Sequence, residues 1–378
     1  LNIHVFNDKE GHFNEAFDRD TGMYIRTDVL DEHGRATGVD PFARTTGPAL
    51  LDIGVMGGCR SALICPVPCY QGRKHPGATP DMAFNDFKRL IDESVELGLM
   101  QVALGGAGNP DEHSCFEGMI SYCQSRGVVP SYTTAGTGLT EQSVNATAKY
   151  CGAVAVSWHH TPGDSTLTCT DYTFRAINMF AHAGAKVNVH MVVSRETIAA
   201  ATEIIDTGTW PTPNGRIKLP VNALVLLWFK PIGVGGDRQD LLLKPGVDDE
   251  NVNRLTTALT NAKPPFAVGL DSCSAPMLVS TNAGVHWPLM DACEGARFSA
   301  YVSPNMRMTP CSFDQTMRWG VDLHKHSVAE AWTSPQFNDF RERLRTACPA
   351  CTHRTKCLGG CPVAPHASFC VSAARQTA

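Results

Sequence analysis

Between residues 50 and 262 the chain repeats one unit, a short apolar run followed by an amphipathic stretch, and few folds accept that pattern. The apolar runs LLDIGVM (50–56), MQVALGG (100–106), VVPSYTTAG (128–136), AVAVSWH (153–159), AKVNVHMVV (185–193) and VNALVLLWF (221–229) read as strands. The stretches 80–98, 111–127, 140–152, 171–184, 195–208 and 248–262 carry helical apolar spacing, with Asp81 as a cap and Gly98 as a stop for the first. The strands lack clean alternation, as expected when helices cover both faces of a sheet. Alternating strands and helices imply parallel strands joined by right-handed crossovers. The expected fold is therefore α/β, a partial (β/α)6 barrel of TIM type over residues 49–265. In such folds ligand chemistry sits at the carboxyl ends of the strands. Here those ends run into GGCR, GGAGNP, TTAGTG, SWHH, VVSRE and FKPIGVGG.

Two segments flank this repeat. Residues 1–48 form an N-terminal extension, in which MYIRTDV and ATGVDPF suggest a hairpin around DEHGR. After residue 270 the alternation stops, and residues 266–378 read as a second, Cys-rich domain.

Composition narrows the function classes. A net charge of −5 with no basic run argues against nucleic acid as a partner. No apolar run reaches about 18 residues, so no membrane span is expected. The opening residues lack a charged-then-apolar signal pattern. A reducing cytoplasmic location follows as the expectation, and there clustered cysteines more often hold metal than form disulfides. The chain has 15 cysteines, three of them at 59–69 and five at 348–370.

Cys59, Cys65 and Cys69 fall just past the first strand, on the expected rim. Three thiolates are one short of the usual four for an iron–sulfur cluster or structural zinc, and a three-thiolate cubane leaves one iron open. A zinc site or inert buried thiols are the plainer readings. The triplet on that loop resembles the radical S-adenosylmethionine enzymes, although its spacing is five and three residues where the family commonly has three and two. Pro68 also stands where the family has an aromatic residue. The resemblance implies that S-adenosylmethionine completes the open iron of a [4Fe–4S] cluster. Reductive cleavage then yields a 5′-deoxyadenosyl radical that takes hydrogen from a substrate. LGGAGNP (104–110) resembles the family's Gly-Gly-Glu-Pro-like segment, which implies that Gly105, Gly106, Ala107, Gly108 and Asn109 line the cofactor; an ordinary strand–helix turn is the alternative. Ser157, His159, His190 and Ser194 are candidate contacts for its carboxylate or ribose, or else satisfied polar groups of the rim. WFKPIGVGG (228–236) is placed to approach the adenine through its backbone.

The tail contains Cys348-x2-Cys351-x5-Cys357-x3-Cys361, with Cys370 beyond it. Upstream, Cys293 and Cys311 flank a hairpin turning at residues 303–305, and VAEAWTSPQFNDFRERL (328–344) joins the parts. This arrangement resembles the SPASM extension of radical S-adenosylmethionine enzymes. It implies two auxiliary [4Fe–4S] clusters, three in all. Cys348, Cys351, Cys357 and Cys370 would hold the outer one, and Cys293, Cys311 and Cys361 the inner one. Cys273 is the candidate fourth inner ligand, an open iron being the alternative; a pair of zinc ribbons is the other reading of the tail. Cys115, Cys123 and Cys151 read as core thiols, and Cys169 as a loop thiol away from the site.

The resemblance implies an oxidoreductase of the maturase type that oxidatively modifies a ribosomally made peptide by a cross-link, thioether or related change. Oxidation or epimerisation of a small metabolite is the alternative, and a non-catalytic redox scaffold the rival outside enzymes. The implied partners are a peptide substrate, an electron donor such as flavodoxin or ferredoxin, and a separate leader-binding protein or strand addition of the peptide to an exposed edge. Asp271 and Asp164 are candidate bases by position, or solvated carboxylates. Tyr132 is expected to line the cavity or pack in the core.

Overall fold

Strand β4 (Leu50–Met56) is the axis on which the structure is built. The computed structural model describes residues 2–62, 65, 67, 69–71, 79–160, 164, 166–284 and 290–370, and Pro68 lies outside them. Ahead of β4, strands β1 (Ile3–Asp8), β2 (Phe13–Asp18) and β3 (Tyr24–Arg26) form an antiparallel sheet in the order β1-β2-β3. The hairpin of the extension is thus β1–β2. Around DEHGR the chain also folds back, through the bridge Leu30–Ala36 and backbone bonds from Asp31 to Arg35, Thr37 to Val29 and Val29 to Val39, but the tight turn that the Asp31 carboxylate closes onto His33 and Arg35 carries no extended strands. A buried ion pair joins Glu15 Oε2 of this sheet to Arg44 Nε at 2.8 Å, and Arg44 in turn donates to the Gly98 carbonyl of the barrel at 3.2 Å.

From β4 the chain alternates through α1 (Phe84–Glu96), β5 (Gln101–Gly106), α2 (Phe116–Ser125), β6 (Val129–Thr134), α3 (Glu141–Tyr150), β7 (Ala153–Ser157), α4 (Asp171–His182), β8 (Val187–Val193) and α5 (Ile198–Thr207). A small hairpin, β9 (Trp210–Thr212) with β10 (Gly215–Ile217), precedes β11 (Ala223–Trp228) and α6 (Asp249–Asn261). All six expected strands are present, and β4, β5, β6, β7, β8 and β11 pair in parallel in that order. Helix α1 starts later than its apolar spacing suggested. Asp81 does not cap it; its carboxylate instead accepts the Gly57 N–H at 2.8 Å, tying the end of β4 to the start of the helix.

The sheet continues beyond the barrel at both edges. Strand β12 (Ala267–Leu270) joins β11 in parallel and was not legible in the sequence. Short helix α7 (Ala275–Ser280) follows it. At the other edge β13 (Ser299–Val302) pairs in parallel with β4, and antiparallel strands β14 (Arg307–Thr309) and β15 (Val321–Asp322) extend it. The tail hairpin is therefore part of the barrel's own sheet, and it turns through Ser303–Met306. Helices α8 (Val328–Trp332) and α9 (Pro335–Thr346) are separated where Ser334 caps the second. The buried Trp332 donates its indole N–H to the Arg44 carbonyl at 3.1 Å, and α10 (Arg354–Cys357) ends the helical tail.

Alternate residues sort the barrel strands into two faces. Leu51, Ile53, Val102, Leu104, Val187, Val189 and Leu224 are buried against the helices in one large core. Tyr132 belongs to that side, ringed by Phe116 and Phe180 with its hydroxyl on Thr147 Oγ1 at 2.8 Å, so it packs in the core. The opposite face of the curved sheet carries small and polar residues: Asp52, Gly54, Gly105, Thr133, Ser157 and His190. Among the described residues no helix is long and apolar enough to cross a membrane.

Candidate active site

The rim is assembled by glycines that permit close backbone approach. Gly106 has φ +106°, and a Cβ there would lie 2.8 Å from Gly54 Cα. A Cβ on Gly108 would lie 2.5 Å from the Gly58 carbonyl and 3.4 Å from Cys59 Cα. The GGAG segment thus lies flat on the loop that carries Cys59. Gly105 differs, because a Cβ there meets nothing within 4 Å; it opens onto the inner face. Asn109 spends its side chain on the scaffold. Its Oδ1 accepts the Ala135 N–H at 2.8 Å, and its Nδ2 donates to Glu112 and Thr137 at 2.8 and 2.9 Å.

A third wall comes from the segment after β11. The Val234 N–H donates to the Cys69 carbonyl at 3.1 Å, and Gly233, at φ +63°, lies so close to the Tyr70 carbonyl that no side chain fits. WFKPIGVGG therefore approaches the cysteine loop through its backbone. Opposite it, His159 Nδ1 and the Tyr172 hydroxyl are 3.0 Å apart, and Tyr172 is near enough to Cys65 to feel its charge. Tyr172 was missed in the sequence, where it reads only as the start of a helix.

The remaining candidates divide. His190 faces inward with Nδ1 3.4 Å from Thr133 Oγ1, and burial lowers its pKa to about 4. Burial, then the neighbouring His160, does the same to His159. Ser157 also stands on the inner face. Ser194 is buried in a local turn, with its N–H donating to Thr197 Oγ1 at 2.8 Å. Asp164 closes its own loop, accepting from Thr166 and Thr168, and these hydrogen bonds lower its pKa to about 2.

The tail cysteines gather as two separate groups. Cys293, Cys311, Cys361 and Cys273 lie near enough to oppose one another's ionisation, although Cys273 is far from the others in sequence. Burial first, then Cys361, pushes the Cys293 thiol up to about 12. Burial likewise raises the Cys357 thiol, and Cys370, Cys351 and Cys348 add to it. The Ala364 N–H points at Cys361 Sγ from 3.3 Å. The paired glycines before Cys361 have positive φ, +75° for Gly359 and +89° for Gly360, and each abuts Ala347 or Ser368 too closely for a side chain. Cys123 and Cys169 are buried apart from these groups.

The rim and the inner tail group share a wall. Tyr70, next to Cys69, stacks on Phe313, two residues after Cys311. Lys230 stands 4.3 Å over the same Phe313 ring and pairs with Asp271 at 3.2 Å. Asp52, Tyr301, Tyr70 and Gln71 line the inner face beneath them and interact electrostatically.

The donor chemistry suits thiolate-bound clusters. Four buried thiols in one group cannot all ionise without a cation among them. Among the described residues no three His, Cys, Asp or Glu side chains converge on a point that one metal ion would occupy. The thiols meet at longer range, through their fields.

Residues 293–357 match the SPASM model, described as an iron–sulfur cluster-binding domain. The chain is 24% identical over 297 residues to a PqqA peptide cyclase of Methylocella silvestris, covering 72% of each. Its fold is similar to Streptococcus suis SuiB bound to precursor peptide SuiA, with TM-score 0.70, 14% identity, and 98% and 97% of the two chains covered. It is also similar to native anSMEcpe with bound AdoMet, at TM-score 0.59, 15% identity, and 87% and 94% coverage.

Proposed function

We propose that this chain, whose SPASM domain and parallel-sheet fold set it among the radical S-adenosylmethionine enzymes, oxidatively modifies a ribosomally synthesised peptide. The observation that carries the proposal is the shared wall: a three-thiol rim at the end of β4 joined through Tyr70 and Phe313 to a four-thiol group. The likeness to a peptide cyclase and to a precursor-bound fold supports a peptide as substrate.

Cys59, Cys65 and Cys69 would hold the rim cluster with S-adenosylmethionine. Cys273, Cys293, Cys311 and Cys361 would hold the inner auxiliary cluster, and Cys348, Cys351, Cys357 and Cys370 the outer. When bound, these groups supply a primary carbon radical able to take hydrogen from an unactivated carbon, and a one-electron acceptor for the oxidised product.

The chain's own residues shape the cavity around that chemistry. Gly105 leaves space at the end of β5. Gly106 and Gly108 let their segment seat against Gly54 and the Cys59 loop, where its backbone carbonyls would hold the cofactor's amino group. His190, kept neutral by burial, and Ser157 offer hydrogen bonds from the inner face. An electron donor of the flavodoxin or ferredoxin type would serve the enzyme in a reducing cytoplasm, and a separate leader-binding protein would deliver the peptide.

The test is anaerobic reconstitution with iron and sulfide, then dithionite and S-adenosylmethionine. 5′-Deoxyadenosine should form, and Cys59→Ala, Cys65→Ala or Cys69→Ala should abolish it while auxiliary iron remains. A short Cys-, Trp- or Tyr-bearing peptide encoded beside the gene should lose hydrogen mass in the same reaction. Protein that takes up zinc but no sulfide would overturn the reading.

A further inference from the structure

Lys230 is a buried ammonium in an unusual place. Lysines are almost never fully buried unless paired, yet this one is 4% exposed. Its Nζ donates to Asp271 Oδ2 at 3.2 Å and to the Trp228 carbonyl at 3.1 Å. The Phe313 ring face, 4.3 Å away, takes up its remaining side. Its ion-pair partner Asp271 lies two residues before Cys273, and its ring partner Phe313 two residues after Cys311, so the ammonium stands beside the inner thiol group. Opposing that cation is one carboxylate, Asp271, which also accepts the Ser274 hydroxyl at 2.8 Å.

We propose that Lys230 sets the reduction potential of the inner auxiliary cluster, acting as a fixed cation with Asp271 as its counterweight. The inference rests on the reading that Cys273, Cys293, Cys311 and Cys361 hold that cluster. Adding an electron to a thiolate-bound cluster increases its negative charge, and a nearby cation favours the more negative state. The effect is large because burial keeps water from screening it. No N–H of Lys230 need reach a sulfur, since two of its three donors go to Asp271 and the Trp228 carbonyl, the remaining side faces the Phe313 ring, and its charge acts through space. Lys230 thus acts on the cluster by its charge, without ligating it.

The sign of the effect separates this role from a structural one. The full-length protein would be reconstituted anaerobically in a Cys59→Ala/Cys65→Ala/Cys69→Ala background, so that only auxiliary signals remain. The inner cluster's midpoint would be read by electron paramagnetic resonance during a mediated redox titration. Lys230→Met should move that midpoint to more negative potential and Asp271→Asn to more positive, while Lys230→Arg stays near the parent. The outer cluster should hold its value in all three. Shifts of one sign in Lys230→Met and Asp271→Asn, or no shift in loaded protein, overturn the proposal. If Lys230→Met fails to load, Asp271→Asn decides alone, and an unmoved midpoint there overturns it. If the parent shows no inner signal, the assignment of the clusters fails instead.

Discussion

Tyr70 and Phe313 stack with ring centroids 4.2 Å apart and planes inclined by 29°. Tyr70 belongs to the rim loop and Phe313 to the tail hairpin, so the pair fastens two thiol groups that are far apart in sequence. Aromatic pairs contribute about 0.5–1.5 kcal/mol beyond the area they bury. Tyr70→Ala and Phe313→Ala should each lower the urea midpoint of the loaded protein. The double variant should lose less than the sum by a coupling of about that size. Additive losses would show that the rings are neighbours without being partners.

The glycines of GGAG make a second prediction because they differ. At Gly106 and Gly108 an added methyl group would collide with Gly54 and Gly58 backbone, and Gly106 also has φ +106°. Gly106→Ala and Gly108→Ala should cost about 1–3 kcal/mol of stability and reduce iron bound at the rim. Gly105→Ala meets no protein atom within 4 Å. It should melt like the parent yet bind S-adenosylmethionine more weakly in equilibrium dialysis. Equal binding by Gly105→Ala would mean that the cofactor does not approach this strand end.

The barrel was legible because its strands are apolar on the side that meets the helices and are bounded by glycines. β4 matches its apolar run, LLDIGVM, residue for residue. The turn at DEHGR was legible from its chemistry, Asp31 bonding back to its own loop, whereas the longer β1–β2 hairpin was missed because its turn at 9–12 has weaker signals. Strand β12 is only four residues long and half exposed, too short for a period to show. The grouping of the tail cysteines is what the resemblance implies; spacing alone would put Cys361 with Cys348, Cys351 and Cys357. Lys230, Asp52 and Tyr172 could not be read from the sequence, because which side of a strand or loop faces inward depends on how the sheet curls, and a lysine is exposed by default.

Cys273 offers a third prediction, in iron counts. It interacts with Cys361 and Cys293, whereas Cys123 and Cys169 are buried in the barrel core. Cys273→Ser should lower the iron of the reconstituted protein and alter the inner signal by electron paramagnetic resonance. Cys123→Ser and Cys169→Ser should keep full iron and lose only packing stability. Full iron with an unaltered signal in Cys273→Ser would leave the inner cluster with three protein thiolates.

Asp52 carries a stability cost with a definite pH signature. It projects from β4 onto the inner face near Tyr70 and Tyr301, and burial raises its pKa to about 6. An ordinary aspartate in the unfolded chain titrates near about 3.9. Between these values the folded protein holds a proton that the unfolded chain has released. Stability therefore falls as pH rises through about 4 to 6, and the loss is complete above that window. A two-unit shift is worth about 3 kcal/mol, less where water reaches the half-buried carboxylate. Asp52→Asn should thus be more stable than the parent by about 1–3 kcal/mol at about pH 8. That gap should close as pH approaches about 4, with acid effects on the clusters common to both proteins. Keeping a costly charge on the inner face is expected where a substrate uses it, so the stabilised variant should also turn over the proposed peptide substrate more slowly. A stability gap that stays constant with pH would place Asp52 in bulk-like solvent and remove the reason to expect slower turnover.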